Sequence, residues 1–353
     1  MAEKEQVQQK ILIVESSPHL DEPTTSRAVM YEVVIGLVPA VTVAAYLFRV
    51  QAALILVSCV VAALATEWVF NAVRKKTQTV FDGSVIVTAL ILGLSLPGGI
   101  PVWAVIFGTV VAVAVAKMLF GGLGSNIFNP AMMGRAFLMA CFGTMMTTWT
   151  TPVPLEAPYG DIEVAAVTQS TPLAIAKQPI KDAVNVDKED SQKEKADRPG
   201  GLNDQLAILF AGKTRGSLGE TSALMWLIGG VFLLLRRTIT WHIPVSVLAS
   251  ASVIATIAWR SNPEIYVNPL VHLSSGALMM CAFFIATDPV TCPLSKMGRV
   301  LFGVGVGSLV MLIRLKGGYP EGVMYAVLLM NSITPLLDKW TRPTPLGGHV
   351  RVS

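Results

Sequence analysis

Apolar residues gather into ten runs along the chain: Val29–Phe48, Ala52–Phe70, Val85–Leu96, Val102–Leu119, Ala131–Thr148, Ser222–Leu235, Ile243–Trp259, Leu273–Thr287, Val300–Ile313 and Val323–Leu337. Each reads as a membrane span. Several are short for a hydrocarbon layer about 30 Å thick, which takes about 20 helical residues to cross. The third and eighth are the clearest cases, each a short apolar run closed by a proline, Pro97 in one and Pro289 in the other. Setting aside about 28 polar residues at the start and about 70 in the middle leaves roughly 255. At about 20 residues per span plus a short connection, that is room for about ten helices.

Composition agrees with this pattern. Of 353 residues, 53% are apolar and 14% are charged, against roughly 25% charged in soluble domains. Mean hydropathy is +0.59. A soluble enzyme of this length is excluded, and an all-α polytopic membrane protein is expected. Residues 1–20 include Glu3, Lys4, Glu5, Lys10 and Glu15 and do not read as a secretory leader. The net charge of +4 suits a positive-inside bias rather than nucleic-acid binding. Cys59, Cys141, Cys281 and Cys292 show no CxxC spacing, and His19, His242, His272 and His349 show no helical pairing. No metal site is expected.

Lys and Arg in the short connections set the orientation. Arg74, Lys75 and Lys76 follow the second run, Arg236 and Arg237 the sixth, Lys296 and Arg299 the eighth, and Lys339 and Arg342 the tenth. All fall on the side of the N-terminus, which is therefore cytoplasmic. A weak internal repeat relates Ser84–Pro97 to Ser275–Pro289, each followed by a glycine pair, Gly121-Gly122 or Gly317-Gly318. Five spans per unit would place the two units in opposite orientations, and such repeats carry their site at the unit interface, on short or broken helices. The expected organisation is a cytoplasmic segment 1–28, a first five-helix unit 29–149, an external loop 150–221, a second unit 222–338 and a cytoplasmic tail 339–353. Within the loop, Lys177–Arg198 carries six basic and six acidic residues and reads as a solvated insertion.

Four segments hold candidate chemistry. In Phe120–Leu138 (FGGLGSNIFNPAMMGRAFL), Asn126 and Asn129 offer amides, Pro130 suits a helix start, and Arg135 is a costly charge near the start of a span. The segment reads either as helix packing with an arginine snorkelling to the cytoplasmic surface or as a polar pocket for a planar or anionic ligand. In Ala286–Pro293 (ATDPVTCP), Asp288 either caps a turn that stops the helix or contacts a cation or cofactor. Asp161–Leu173 is a Thr/Ser-rich turn before proline. Ser16-Ser17-Pro18-His19 is a loop before the first span.

Taken in order with FDGSVIVTALILGLSLP at residues 81–97, these segments resemble the D subunit of Rnf electron-transport complexes (RnfD) and its homologue, the B subunit of sodium-pumping NADH:quinone oxidoreductases. The resemblance covers nearly the whole chain. It implies a urea-transporter-like fold of two inverted five-helix repeats. It also implies flavin mononucleotide (FMN) joined through its phosphate to a threonine, which makes the chain a phosphoprotein. Thr168-Gln169-Ser170-Thr171 takes the place of the acceptor motif, with Thr171 as the modified residue, and Gln169 and Ser170 stand where the family has Gly and Ala. The homologous quinone-oxidoreductase protein also holds a non-covalent riboflavin, an implication carried over here as a second cofactor.

The function implied is that of a membrane subunit relaying electrons through covalent FMN within an ion-translocating ferredoxin:NAD oxidoreductase. Na+ or H+ would be the coupling ion, in a prokaryotic cytoplasmic (inner) membrane, with Rnf subunits A, B, C, E and G as partners. The chain would be part of a translocase without a complete active site of its own, and no catalytic residue is assigned. Two other readings are a urea- or ammonium-type channel, resting on the repeat alone, and a scaffold. The charge bias predicts the topology directly. In intact cells a Lys188→Cys variant should react with an impermeant maleimide and a Lys75→Cys variant should not; the reverse pattern would overturn the orientation.

Overall fold

The computed structural model describes residues 25–149, 216–220, 222–263, 265–319 and 321–342. Their regular structure is helical; among them there is no strand, only an isolated antiparallel bridge between Pro97 and Ser217. Helix α1, Ser26–Val73, opens on Thr25, whose hydroxyl accepts from the Ala28 N–H at 3.3 Å. Arg49, at φ 47° and ψ −121°, divides it into arms 26–48 and 50–73, which hold the first two expected spans. Helix α2 is Ser84–Leu94. Helix α3, Val102–Val113, continues as a π-helical segment, Ala114–Met118. Helix α4, Pro130–Cys141, has Asn129 as its N-cap and Pro130 in its first turn, the arrangement those residue types favour. After a break at Phe142 comes α5, Gly143–Thr147, so the expected fifth span is divided.

The second half begins with α6, Ala223–Leu235, and α7, His242–Ser261. Next come α8, Pro269–Ser274, and α9, Leu278–Met280, which runs into a second π-helical segment, Cys281–Ile285. The expected eighth span is thus not one helix. It is interrupted at Ser275-Gly276, where Gly276 takes φ +68°, a conformation that glycine adopts without steric cost. Helices α10, Lys296–Lys316, and α11, Val323–Trp340, complete the fold.

Ser26–Val73, His242–Ser261 and Lys296–Lys316 are long and apolar enough to cross a membrane, and Ser84–Leu94, Val102–Met118 and Ala223–Leu235 are shorter apolar helices. Exposed apolar side chains such as Val57, Val61, Val253 and Ile257 cover the outside, as expected of a lipid-facing or partner-facing surface. Inside, α1 packs on α2 and α3, and α3 on α4. In the second half α7 packs on α10, and α10 on α11. The halves join where α1 meets α6 and α4 meets α11.

The short helices end inside the protein, where an unpaired peptide group is expensive. At the end of α2, Gly219 N–H donates to the Leu94 carbonyl at 2.6 Å and Leu218 N–H to the Leu96 carbonyl at 3.0 Å. The segment 216–220 therefore serves as a cap, itself anchored by the Trp226 indole N–H, which donates to the Gly219 carbonyl at 2.6 Å. At the break before α9, Arg314 donates to the carbonyls of His272 at 2.6 Å and Ser275 at 3.1 Å, while the Glu321 carboxylate accepts from Ala277 N–H at 3.2 Å. At the far end of the same element, the Asn129 amide donates to the Ile285 carbonyl at 3.3 Å.

The contact between the halves is backbone-close. A Cβ placed on Gly229 of α6 would collide with the carbonyl oxygen of Gly36 in α1, whereas one on Gly143 would meet nothing within 4 Å. Overpacking of this kind costs about 1–3 kcal/mol. Gly229→Ala should lower the melting temperature in detergent by several degrees and Gly143→Ala should leave it unchanged, read by thermal melts of the purified chain; equal melts would show that the crossing is not close.

Candidate functional site

A cleft of about 710 Å³, mouth included, opens between the first arm of α1, α2, the connection from α3 to α4, and the second π segment. Its apolar walls come from Met30, Val33, Val87, Ile91, Phe283 and Phe284, and its polar groups from Ser84, Thr88, Lys117, Asn126, Asn129, Thr287 and Asp288. Phe284 is held edge-to-face against Trp226, with ring centroids 5.2 Å apart. Asn126 is 7% exposed; its Nδ2 donates to the Phe128 carbonyl at 3.3 Å, and its Oδ1 is buried without a hydrogen-bond partner. Buried polar atoms are normally paired, and this oxygen is left without a protein donor in a residue that lines the cleft. Asp288 closes the wall. Its carboxylate accepts from Val290 N–H at 3.3 Å and from the Thr291 hydroxyl at 3.1 Å, so the residue stops the helix and also faces the cleft.

One side of the cleft is a buried ionic network. Lys117 in the first π segment donates to both carboxylate oxygens of Glu67, at 3.0 and 3.2 Å, and to Ser84 Oγ at 2.7 Å. The Thr79 hydroxyl donates to Glu67 at 2.6 Å, Asn71 donates to Thr79 at 2.9 Å, and the Ser84 hydroxyl donates to Asp82 at 2.6 Å. The network ties the second arm of α1 to the start of α2 and the end of α3. Both π segments serve the cleft, one through Lys117 and the other through Phe283 and Phe284; π-helical turns recur at functional sites because they re-aim side chains.

Among the described residues, two further buried ion pairs lie away from the cleft, Arg135–Glu220 at 3.5 Å and Arg314–Glu321 at 3.1 Å. Arg135 is 6% exposed. It does not snorkel to a surface but is paired inside the protein with the segment that caps α2.

The Phe120–Leu138 segment therefore divides its residues. Asn126, Asn129 and Pro130 line the cleft, and Arg135 belongs to the packing of α4. Asp288 and Pro289 reach the same cleft from the other half. Thr171, Thr168, Ser170, Ser16–His19 and Lys177–Arg198 lie outside the described residues. Sequence reasoning did not single out Glu67, Lys117, Thr88, Phe283 or Phe284. For two of them a signal existed: Glu67 and Lys117 are opposite charges inside apolar runs, where ionisable residues are costly and normally paired.

The model of the NQR2, RnfD, RnfE family matches residues 13–347. The chain belongs to this family. The D subunit of the proton-translocating ferredoxin:NAD(+) oxidoreductase complex of Clostridium ljungdahlii is 38% identical over 343 residues, 97% of this chain and 98% of that protein. The D subunit of the Na(+)-translocating ferredoxin:NAD(+) oxidoreductase complex of Acetobacterium woodii is 38% identical over 338 residues, 95% of each chain. The D subunit of the ion-translocating oxidoreductase complex of Pectobacterium carotovorum is 39% identical over 346 residues, 95% of this chain and 98% of that protein. Two NQR2, RnfD, RnfE relatives equally similar to this chain are thus named for different ions, so overall similarity does not carry the ion.

Removing one member of a buried ion pair costs about 3–5 kcal/mol, whereas an exposed pair contributes about 0–1 kcal/mol. Arg236 pairs with Glu32 at 2.6 Å with 60% of its side chain exposed. Arg135→Leu should therefore cut the yield of folded chain and its melting temperature sharply, and Arg236→Ala should do neither; comparable losses in detergent melts would contradict the burial of the Arg135–Glu220 pair.

Proposed function

We propose that this chain is the flavin-bearing membrane subunit of an Rnf-type ferredoxin:NAD oxidoreductase in a prokaryotic cytoplasmic membrane, working with subunits A, B, C, E and G. The observation that carries this reading is the end-to-end similarity to proteins named as the D subunit of such complexes. Thr171 is the proposed acceptor of FMN, joined as a phosphoester, and Thr168–Leu173 is the recognition segment. The phosphoester retains the cofactor on the loop 150–221. Anchoring there leaves the ring free to take one or two electrons, chemistry that belongs to the flavin and that a protein positions and tunes.

The cleft is the proposed seat of a second, non-covalent riboflavin. A flavin ring presents an N–H between two carbonyls, and the unpaired Asn126 Oδ1 is an acceptor for that N–H. Thr88 and Thr287 supply hydroxyls, and Phe283, Phe284, Val87 and Ile91 supply apolar cover that excludes water. We further propose two inverted five-span units. Lys117 and Arg314 support it: each lies within two positions of the end of the fourth expected span of its unit, three or four positions before a glycine pair, is buried, and bonds to the start of the third span, at Ser84 or Ser275. The pairings of α1 with α6 and of α4 with α11 are those of first with first and fifth with fifth spans.

The test is to purify the complex with its flavin transferase co-expressed. The chain should fluoresce as a flavin on a denaturing gel, and acid extraction should release riboflavin. Thr171→Ala should abolish the gel fluorescence while leaving the extractable flavin and the folded chain, and Ser170→Ala should change neither. Flavin mapped to Ser170 or Thr168 by peptide mass spectrometry, or found nowhere on the chain, would overturn the assignment.

A further inference from the structure

We propose that Lys117 is a positioning residue for electron transfer, whose buried ammonium favours the electron-rich state of the redox ligand in the cleft. The inference rests on reading the cleft as a flavin site. Lys117 is 2% exposed and Glu67 1%, so neither charge is screened by bulk water. All three ammonium N–H groups are occupied, two by Glu67 and one by Ser84 Oγ, so the charge is fixed in place. The π segment 114–118 sets that place; its closing bond runs from Leu119 N–H to the Ala114 carbonyl at 2.9 Å.

The pair is neutral overall, but its two ends are not equivalent. Lys117 lines the cleft and Glu67 does not, so the ligand faces the positive end of the pair. Ser84, in the first turn of the 11-residue α2, lines the cleft beside it, and the amino end of a helix adds potential of the same sign. Reduction of a flavin by two electrons, drawn from the iron–sulfur protein ferredoxin, with one proton taken at ring N5, adds one net negative charge to the ring. An ammonium nearby stabilises that product more than the neutral starting ring. With partial cancellation by Glu67, charges several ångströms apart at an effective dielectric near 20 yield a preference on the order of tenfold. For a two-electron couple, tenfold is about 30 mV.

The competing account makes the Lys117–Glu67 pair a clamp between α1 and α3 with no electrical role, and the sign of the effect separates the two. The readouts are the midpoint potential of the extractable flavin in the whole purified complex and its stoichiometry after acid release. Lys117→Gln should lower the potential by about 30 mV, the two-electron equivalent of tenfold. Glu67→Gln should raise it, and Lys117→Arg should leave it near wild type. Where Lys117→Gln does not assemble, the Glu67→Gln, Lys117→Gln double variant removes both charges and should also lower it. Unchanged potentials, or shifts of the same sign in Lys117→Gln and Glu67→Gln, would overturn the proposal. A Thr88→Trp variant tests the reading beneath it. Extractable flavin that survives this filling of the cleft would remove the cleft as the site, and Lys117 with it, whereas its loss alongside unchanged potentials in the lysine variants would remove only the role of Lys117.

Discussion

A peptide group taken out of water must find a hydrogen-bond partner, and in this protein two short helices end where no water reaches them. Helix α2 and the α8–α9 element are too short to carry their ends to the surface. Their orphan carbonyls and N–H groups are met instead by segment 216–220, by Arg314 and Glu321, and by Asn129. Each cap comes from a residue distant in the chain. The Asn129 cap joins the two halves, the Arg314 and Glu321 caps hold the second half to itself, and segment 216–220 ties the connection between the halves to α2.

The same short helices make room for the cleft. Because the chain turns back early at Asp288-Pro289, side chains from both halves converge there. The polar groups at the cleft are consequences of that geometry: Asn129 caps α4 and the second π segment together, and Asp288 organises the turn. Their capping duties hold them rigid, which is what a site for a planar ligand requires. Asn126 Oδ1 is left without a protein partner.

Buried charge follows a similar logic. Lys117, Arg135 and Arg314 each sit deep in an apolar protein and each is paired with a carboxylate, distant in the chain for Lys117 and Arg135 and just beyond the end of the same helix for Arg314. Pairing of this kind is poor evidence of stability, since desolvation offsets much of the attraction. It does make the fold specific, because any packing that separated a pair would strand a charge. Lys117 differs from the other two in lining the cleft, so its charge acts on whatever occupies that space.

Much of this architecture was legible from local sequence. Apolar runs mark helices because burying a peptide in lipid or protein demands internal hydrogen bonds, and a run closed by Pro97 or Pro289 must end. Asn129-Pro130 announces a helix start through residue chemistry alone, and the order of motifs gives the family. The breaks at Phe142 and Ser275-Gly276, the two π segments, and the partners of Arg135 and Lys117 were not legible. Arg135 illustrates the reason. A charge near the start of an apolar run is equally consistent with snorkelling and with pairing, and the choice depends on whether Glu220, 85 positions later, is folded back against α4. Partners of buried charges and orphan carbonyls are selected by distance in space, so only the tertiary structure decides them.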